Sequence, residues 1–315
     1  LMRHHFAEQK VDPNEHFIVV TGEGSPLDDK SRYLEVFYMW DFIGGRYSVT
    51  SMVGAVPLAF VLGYKGFREI LQGAHDMDKI ALHKDIHKNL PLLSALLGIW
   101  NRTFLKNHTV AIIPYSQALG RFAAHLQQLD MESNGKHIDK LGQDVTFDTG
   151  PIIWGEPGSN SQHSFFQMLH QGTTPVPIEF IGFKESQYKN DIDVKGTTSQ
   201  EKLLSNLFAQ SMALAQGKKD ANPNKHFAGN RPSRILLAKK LDLYTLGSLL
   251  SYYENKVVFQ GFMWNINSFD QEGVQLGKVL ANEMIGLFSS KRKGSADLSK
   301  KFPLGAAYID HLDDV

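Results

Sequence analysis

The sequence predicts an α/β protein in which parallel sheet is covered by helices on both faces, an αβα sandwich. Two observations lead to this prediction. Short apolar runs with the composition of buried strands alternate along the chain with longer stretches of helical spacing. Such strand-helix alternation is typical of βαβ units, in which a helix carries the chain from one parallel strand to the next.

The elements follow from this pattern in order. The runs predicted as buried strands are residues 17–21, 110–114, 151–154, 176–180 and 234–238. The stretches whose apolar residues recur at helical spacing are residues 48–62, 90–104, 117–129, 160–169, 203–215 and 274–288. Residues 187–198 and 216–230 are polar and lack periodicity, so they are predicted to be surface loops.

The composition limits the classes of function. Of the 315 residues, 42% are hydrophobic and 21% are charged, as in an ordinary globular protein. Lys plus Arg equals Asp plus Glu at 33 each, so no broad basic surface indicates nucleic acid. The absence of cysteine excludes disulfides, thiolate metal sites and a cysteine nucleophile. Residues 1–10 are polar, and the apolar residues 49–62 are too few to span a membrane and contain Pro57, so we expect a soluble protein.

A first candidate site is the glycine pair Gly44-Gly45 with Arg46, just before a predicted helix. Glycines let the backbone approach a ligand closely, and the amino end of a helix favours anions. Arg46 would add a permanent positive charge there. The alternative interpretation is a tight turn with an arginine on the surface.

A second candidate site is Glu156, which follows a predicted strand and precedes a predicted helix. In α/β sheets, ligands bind where strands end at their carboxyl edge. A carboxylate at that edge can act as a general base if burial raises its pKa toward neutrality. The alternative is a loop glutamate that caps a helix or pairs with a cation.

A third candidate site is the polar turn of residues 266–273, which enters the predicted helix 274–288. Lys278 would lie about one turn into that helix and could reach back to a site at its start. The helix is predicted to have an apolar face that includes Val274 and Leu276. The alternative is a solvated lysine and a capping aspartate.

These three segments match a known family nearly residue for residue, and further matches follow in the family's order over most of the chain. The further matches are GAH and MD (73–75 and 77–78), LLGIW (96–100), DMESNGK (130–136), QHSF (162–165), HQGT (170–173) and GNRP (229–232). The chain therefore resembles the phosphoglucose isomerases. Residues 40–48 and 266–278 correspond to the two signature regions of that family, and residues 154–160 to its glutamate loop.

The resemblance implies two sugar-isomerase (SIS) domains, each a doubly wound parallel sheet flanked by helices. It implies an incomplete remainder of the first SIS domain in residues 1–88, the second SIS domain in 89–280 and a C-terminal helical arm in 281–315, where 296–300 have a short helical pattern. It also implies a cytoplasmic homodimer that requires no metal or organic cofactor and binds neither nucleic acid nor membrane.

The resemblance further implies an aldose-ketose isomerase of glycolysis and gluconeogenesis that interconverts glucose 6-phosphate and fructose 6-phosphate through a cis-enediol. Glu156 matches the base that moves a proton between C1 and C2, and Arg46 matches the arginine that stabilises the enediolate. Lys278 matches a lysine associated with opening of the sugar ring. Gln271 matches a glutamine that contacts the substrate, and Gly45 matches a glycine that lets the chain approach the sugar.

The sequence departs from the family at two places. Gln200 stands where family members usually have a histidine that helps ring opening, and glutamine cannot exchange a proton near neutral pH. The family's serine- and threonine-rich phosphate loop precedes the region that aligns with this chain, and no segment of residues 1–41 resembles it. We therefore expect this chain alone to bind substrate poorly and to be weakly active or inactive. The alternative function is a non-catalytic SIS module that binds sugar phosphates, or an inactive fragment.

Overall fold

The computed structural model describes residues 2–293 and 302–312, so the helical pattern predicted at residues 296–300 lies outside the described residues. The chain divides into two compact units, Leu1–Ser268 and Phe269–Val315, and each is described by itself. The division into SIS domains at residues 88 and 280 stays a prediction.

Parallel sheet organises the first unit. Its strands are β1 (Ile18–Thr21), β2 (Glu35–Tyr38), β3 (Thr109–Pro114), β4 (Ile152–Trp154), β5 (Ile178–Glu185), β6 (Asp193–Val194), β7 (Thr197–Thr198) and β8 (Ser233–Lys240). A four-stranded parallel sheet has the order β4-β3-β5-β8, β1 pairs with β2 in parallel, and β6 with β7 forms a short antiparallel pair. Each predicted strand overlaps one of these, at β1, β3, β4, β5 and β8.

Helices connect the strands and cover the sheet. In the first unit they are α1 (Met2–Glu8), α2 (Met52–Ala81), α3 (Leu90–Ile99), α4 (Phe122–Leu126), α5 (Glu132–Asn134), α6 (Gly158–Ser161), α7 (Phe166–Gln171), α8 (Ser199–Gln216) and α9 (Leu243–Met263). Two π-helical segments, Trp100–Phe104 and Gln127–Met131, continue α3 and α4. Every predicted helix overlaps a helix of the structure.

The two faces of the four-stranded sheet bury separate apolar clusters because successive side chains of a strand point in opposite directions. On β3, Val110 and Ile112 belong to the cluster that packs against α4 and α9. Ala111 and Ile113 belong to the cluster that packs against α7 and α8. This two-sided burial confirms the predicted α/β class and the αβα arrangement of layers.

Helix α9 and strand β2 are among the elements absent from the sequence prediction, as are α5 and the short strands β6 and β7, which lie in the predicted loop 187–198. Helix α9 carries buried side chains at Leu250, Tyr253, Lys256 and Gln260, which mix apolar and polar residues, so its sequence has no clean apolar stripe. Strand β2 pairs only with β1 among the described residues, and only Val36 of its four residues is buried. Both were missed because tertiary packing, rather than local periodicity, decides their structure.

The second unit contains α10 (Gln275–Arg292) and α11 (Pro303–His311). Leu287 of α10 and Ile309 of α11 are buried. The Lys291 ammonium donates to the Ile309 carbonyl at 3.2 Å and lies 3.7 Å from the Asp310 carboxylate, so it ties the two helices together. The predicted apolar face at the start of α10 is not buried, since Val274 and Leu276 are 42% and 68% exposed.

A half-buried carboxyl lies where α9 faces α2. The Oε1 atom of Glu254 is inaccessible to solvent and has no hydrogen-bond partner among the described residues. Burial, reinforced by the charge of Asp78 on α2, raises the pKa of Glu254 from 4.5 to about 8. Asp78 itself accepts hydrogen bonds from Ser251 at 2.6 Å and Asn255 at 2.8 Å, so it stays beside α9.

Because of this raised pKa, we expect a Glu254→Gln variant to gain stability relative to the parent as the pH rises. Between the unfolded pKa of 4.5 and the folded pKa of about 8, the folded state holds a proton that the unfolded state has released, so stability falls with rising pH. The pH-dependent gain in the free energy of unfolding of Glu254→Gln over the parent reaches on the order of 3 to 5 kcal/mol above about pH 8. It vanishes below about pH 4.5. Urea unfolding of both proteins across this range measures it.

Glutamine resembles the protonated carboxyl. The stability of Glu254→Gln should therefore lack the fall with rising pH that the Glu254 carboxyl causes in the parent. Glu69→Gln, at an exposed position of α2, is the matched control and should follow the parent at every pH. A constant difference between Glu254→Gln and the parent across the range would mean that Glu254 ionises in the folded protein as it does in the unfolded chain.

Candidate active site

The glycine-arginine segment forms a short 3-10 helix, Gly45–Tyr47, that buries the arginine. Arg46 is 2% exposed, so the interpretation as a surface arginine is wrong. Trp40 and Phe42, just before the glycines, are 70% and 78% exposed and stack on each other at 5.6 Å. The segment therefore begins with two exposed aromatic side chains and ends with a buried cation.

Arg46 is held by groups from distant parts of the chain. Its Nε donates to the Ser133 hydroxyl at 3.0 Å, and its Nη2 donates to the Ser268 carbonyl at 2.7 Å. Its Nη1 lies 3.5 Å from the Glu132 carboxylate, whose side chain is 20% exposed. A planar guanidinium with several fixed partners cannot swing away, so its charge has a defined position.

The partners of Arg46 are themselves fixed by a buried polar network. The Ser268 hydroxyl donates to the Asn134 side-chain oxygen at 2.8 Å, and the Asn134 amide donates to Asp130 at 3.1 Å and to the Val257 carbonyl at 3.2 Å. Burial raises the pKa of Asp130, although the charge of Lys256 opposes this shift. The network ties α5 and the end of the first unit to the arginine.

Sequence reasoning missed Ser133, Asn134 and Ser268 as site residues. The signal that could have found Ser133 and Asn134 is the polar run 130–136, which continues directly from a helical pattern with apolar spacing. Consecutive polar residues inside a buried helix must find hydrogen-bond partners, and here Ser133 accepts from the buried guanidinium while Asn134 bonds to Asp130 and Ser268.

Gly45 has no structural need to be glycine among the described residues. A Cβ at Gly45 would meet the Gln128 amide nitrogen at 3.5 Å, which is ordinary van der Waals contact. A side chain at Gly45 would therefore lie against Gln128, beside the backbone that carries Arg46.

Glu156 follows β4 at the carboxyl edge of the four-stranded sheet, as predicted, and its side chain is exposed. Gly155 sets its position: the φ of +145° favours glycine, and a Cβ there would lie 2.0 Å from the Ile112 carbonyl oxygen. On the other side, a Cβ at Gly158 would lie 2.2 Å from the Tyr115 ring. The glutamate loop is thus packed tightly against the end of β3.

The Glu156 carboxylate makes no hydrogen bond or ion pair within residues 2–293 and 302–312. Helix α6 begins after Pro157 without a side-chain cap, so the alternative of a helix-capping or salt-bridged glutamate finds no support. The described residues leave the side chain of Glu156 exposed and do not bury it.

One helical segment contacts both Arg46 and the strand that leads to Glu156. The Gln127 amide donates to the Ile153 carbonyl at 3.0 Å, and the Ile153 amide donates to the Met131 sulfur at 3.4 Å. The next residues, Glu132 and Ser133, hold the guanidinium. The segment 127–134 therefore contacts both Arg46 and the strand that leads to Glu156.

Gln271 and Lys278 belong to the second unit. Gln271 is exposed and precedes a 3-10 turn, Glu272–Val274, whose Val274 amide donates to the Gln271 carbonyl at 3.2 Å. Lys278 is exposed in the first turn of α10, as the predicted position about one turn into the helix requires. Gln271 and Lys278 therefore lie at the amino end of the same helix. Gly45, Arg46 and Glu156 lie in the first unit.

Gln200, at the position where a histidine was expected, has a structural role. It lies in the first turn of α8, where its side-chain amide donates to the Phe183 carbonyl at 2.6 Å. Its backbone amide donates to the Asp191 carboxylate at 3.2 Å. The side chain is therefore used to attach α8 to β5.

Within the part of the chain that the structure describes, no group of three or more His, Asp and Glu side chains is arranged to hold a metal ion. Among those same residues, every helix is too short or too polar to cross a membrane.

Comparison with known proteins gives consistent results. A family model described as phosphoglucose isomerase matches residues 5–301. The glucose-6-phosphate isomerase of Protochlamydia amoebophila is 63% identical over 313 residues, which are 99% of this chain and 58% of that protein. The glucose-6-phosphate isomerase of Desulfotalea psychrophila is 61% identical over 301 residues, which are 96% of this chain and 56% of that protein.

A solved structure agrees with the sequence comparisons. The crystal structure of a glucose-6-phosphate isomerase from Chlamydia trachomatis superposes with a TM-score of 0.93 at 54% identity, covering 99% of this chain and 58% of that one. The chain thus spans 58% of the length of these similar proteins or slightly less.

Proposed function

The chain belongs to the phosphoglucose isomerase family, and from this premise we propose that the protein interconverts glucose 6-phosphate and fructose 6-phosphate through a cis-enediol intermediate. The single observation that carries the proposal is the Glu156 carboxylate at the carboxyl edge of the sheet. The tightly packed Gly155 and Gly158 fix its position, and it makes no hydrogen bond or ion pair with another described residue.

Glu156 is the proposed base. Its carboxylate removes the proton from C2 of the open-chain aldose, and the electron pair moves through C1 to the carbonyl oxygen, which gives the enediolate. Return of the proton to C1, with transfer of the hydroxyl proton from O2 to O1, gives the ketose. A positioned base of this kind typically contributes about 10² to 10⁴ in rate.

Arg46 is proposed to stabilise the negative charge that develops on the enediolate oxygen. The support is its fixed position, because Ser133, Ser268 and Glu132 hold it without reorganisation during the reaction. Gly45 is proposed to let the sugar approach this segment, because it has no side chain next to Arg46. Gln271 is proposed to contact the substrate and Lys278 to assist ring opening.

The wider assignments are also proposals. We infer a homodimer in the cytoplasm that acts in glycolysis and gluconeogenesis without a metal or organic cofactor. Gln200 is engaged with the Phe183 carbonyl and cannot exchange a proton, so in this proposal ring opening relies on Lys278, water or spontaneous opening of the anomer.

The test is a coupled assay that supplies fructose 6-phosphate and detects glucose 6-phosphate. We expect activity from a polypeptide completed to the full length of the relatives, and little or none from this chain alone, because the phosphate contacts that hold the reacting end are proposed to lie outside it. A folded full-length protein without activity would favour the alternative of a non-catalytic SIS module that binds sugar phosphates.

A further inference from the structure

A cavity of about 240 Å³ lies within the first unit at the amino edge of the four-stranded sheet. Its floor is formed where β3, β5 and β8 begin, at Val110, Ile178 and Ser233. Helices α3 and α9 close its sides through Gly98 and Gln260. It is therefore at the opposite edge of the sheet from Glu156 and separate from the candidate active site.

A buried ionic cluster borders this cavity. Glu179 interacts through its Oε1 with the Arg234 guanidinium and, at 2.8 Å, with the Lys256 ammonium, and its Oε2 accepts from the Tyr253 hydroxyl at 3.0 Å. Burial alone would raise the pKa of Glu179, but the charges of Arg234 and Lys256 lower it to about 2. Glu179 is therefore an anion at neutral pH.

The cluster has two cations for this one anion. Asp130 is a further buried carboxyl that interacts with Lys256, and burial raises its pKa. Both cations contact the same carboxylate oxygen, so an anion that enters the cavity meets two positive charges that share one partner.

Unpartnered polar atoms line the same cavity. Gln260 is 1% exposed, and its side-chain oxygen has no hydrogen-bond partner among the described residues. The same is true of the Arg234 Nε and the Asn101 side-chain oxygen. The Gln260 carboxamide lies over Gly98, where a Cβ would come within 2.4 Å of its nitrogen. A carboxamide without a bonded oxygen can turn and present its nitrogen as a donor.

We propose that this cavity binds a small carboxylate with an apolar body, whose carboxylate is held by Arg234, Lys256 and the Gln260 amide. Its apolar body would contact the side chains of Leu97, Trp100 and Pro151, which line the cavity. Guanidinium and amide donors suit a planar carboxylate. The inference does not depend on the isomerase reaction.

The test is to titrate this chain with phenylacetate and with its uncharged analogue phenylacetamide, following affinity by calorimetry and location by backbone amide shifts. We expect phenylacetate to bind with a Kd on the order of 1 mM, with shifts at Gly98 and Ser233. Phenylacetamide should bind at least about 10-fold more weakly because it lacks the charge.

The variant Gln260→Leu keeps a buried side chain of similar size and removes the amide donor. It should weaken phenylacetate binding by about 5- to 10-fold. Gln72→Leu, the same change at an exposed position of α2, is the control and should bind as the parent does. The proposal is overturned by absence of saturable binding, by equal affinity for the two compounds, or by shifts confined to the region of Arg46 and Glu156.

Discussion

A Glu156→Gln variant of the full-length protein is expected to lose about 10² to 10⁴ in kcat while its affinity for fructose 6-phosphate changes little. Glutamine keeps the shape of the side chain but cannot accept the C2 proton. Because Glu156 bonds to no other group among the described residues, the substitution removes no structural contact. Steady-state kinetics and equilibrium binding of the sugar phosphate, measured on the same preparation, separate the two effects.

The control is again Glu69→Gln, which removes an exposed carboxylate from α2 and should leave kcat unchanged. Equal losses of binding and turnover in Glu156→Gln would indicate that the glutamate holds the substrate rather than moving its proton. Full activity of the variant would remove Glu156 from the reaction and with it the observation on which the proposed function rests.

An Arg46→Lys variant is expected to lose both stability and turnover, although it keeps the positive charge. An ammonium on a flexible stem cannot reproduce the fork that bonds to Ser133 and Ser268 at once. We expect a loss on the order of 2 to 4 kcal/mol in the free energy of unfolding, since buried acceptors lose their donors. In the full-length protein we expect kcat to fall by roughly 10²-fold or more.

Urea unfolding of this chain and kinetics of the full-length protein, at a temperature where the variant is folded, measure the two losses. Arg68→Lys is the matched control because Arg68 is exposed on α2 and its guanidinium lies over the Tyr64 ring at 6.0 Å. A variant that lost stability but retained full kcat would assign Arg46 a structural role only.

The central strands could be predicted from the sequence because they are buried on both faces. β3 is buried at every residue after Thr109, so its run of apolar residues needs no periodicity to be recognised. Helix α2 was only partly predicted: it runs from Met52 to Ala81, but Gly63 has non-helical angles within it, and the predicted helix ended near that residue.

The sequence predicted individual residues of the candidate site. It did not predict the residues that hold them in place. Arg46 and Glu156 are marked by glycines and by neighbouring strands or helices, which are local signals. The hydrogen bonds that hold Arg46 join it to Ser133 and Ser268, which are 87 and 222 residues away in sequence. No local pattern encodes such pairings, since they exist only after the sheet and its helices have packed.

These long sequence separations have a consequence for the order of folding. The entropy of closing such long loops must be overcome before the contacts of Arg46 can stabilise anything, so the positioned guanidinium belongs to the late stages of assembly. In the reverse direction, partial opening of the segment that ends at Ser268 would release the arginine while the four-stranded sheet is still intact. Loss of the defined position of Arg46 would then precede loss of secondary structure during gradual denaturation.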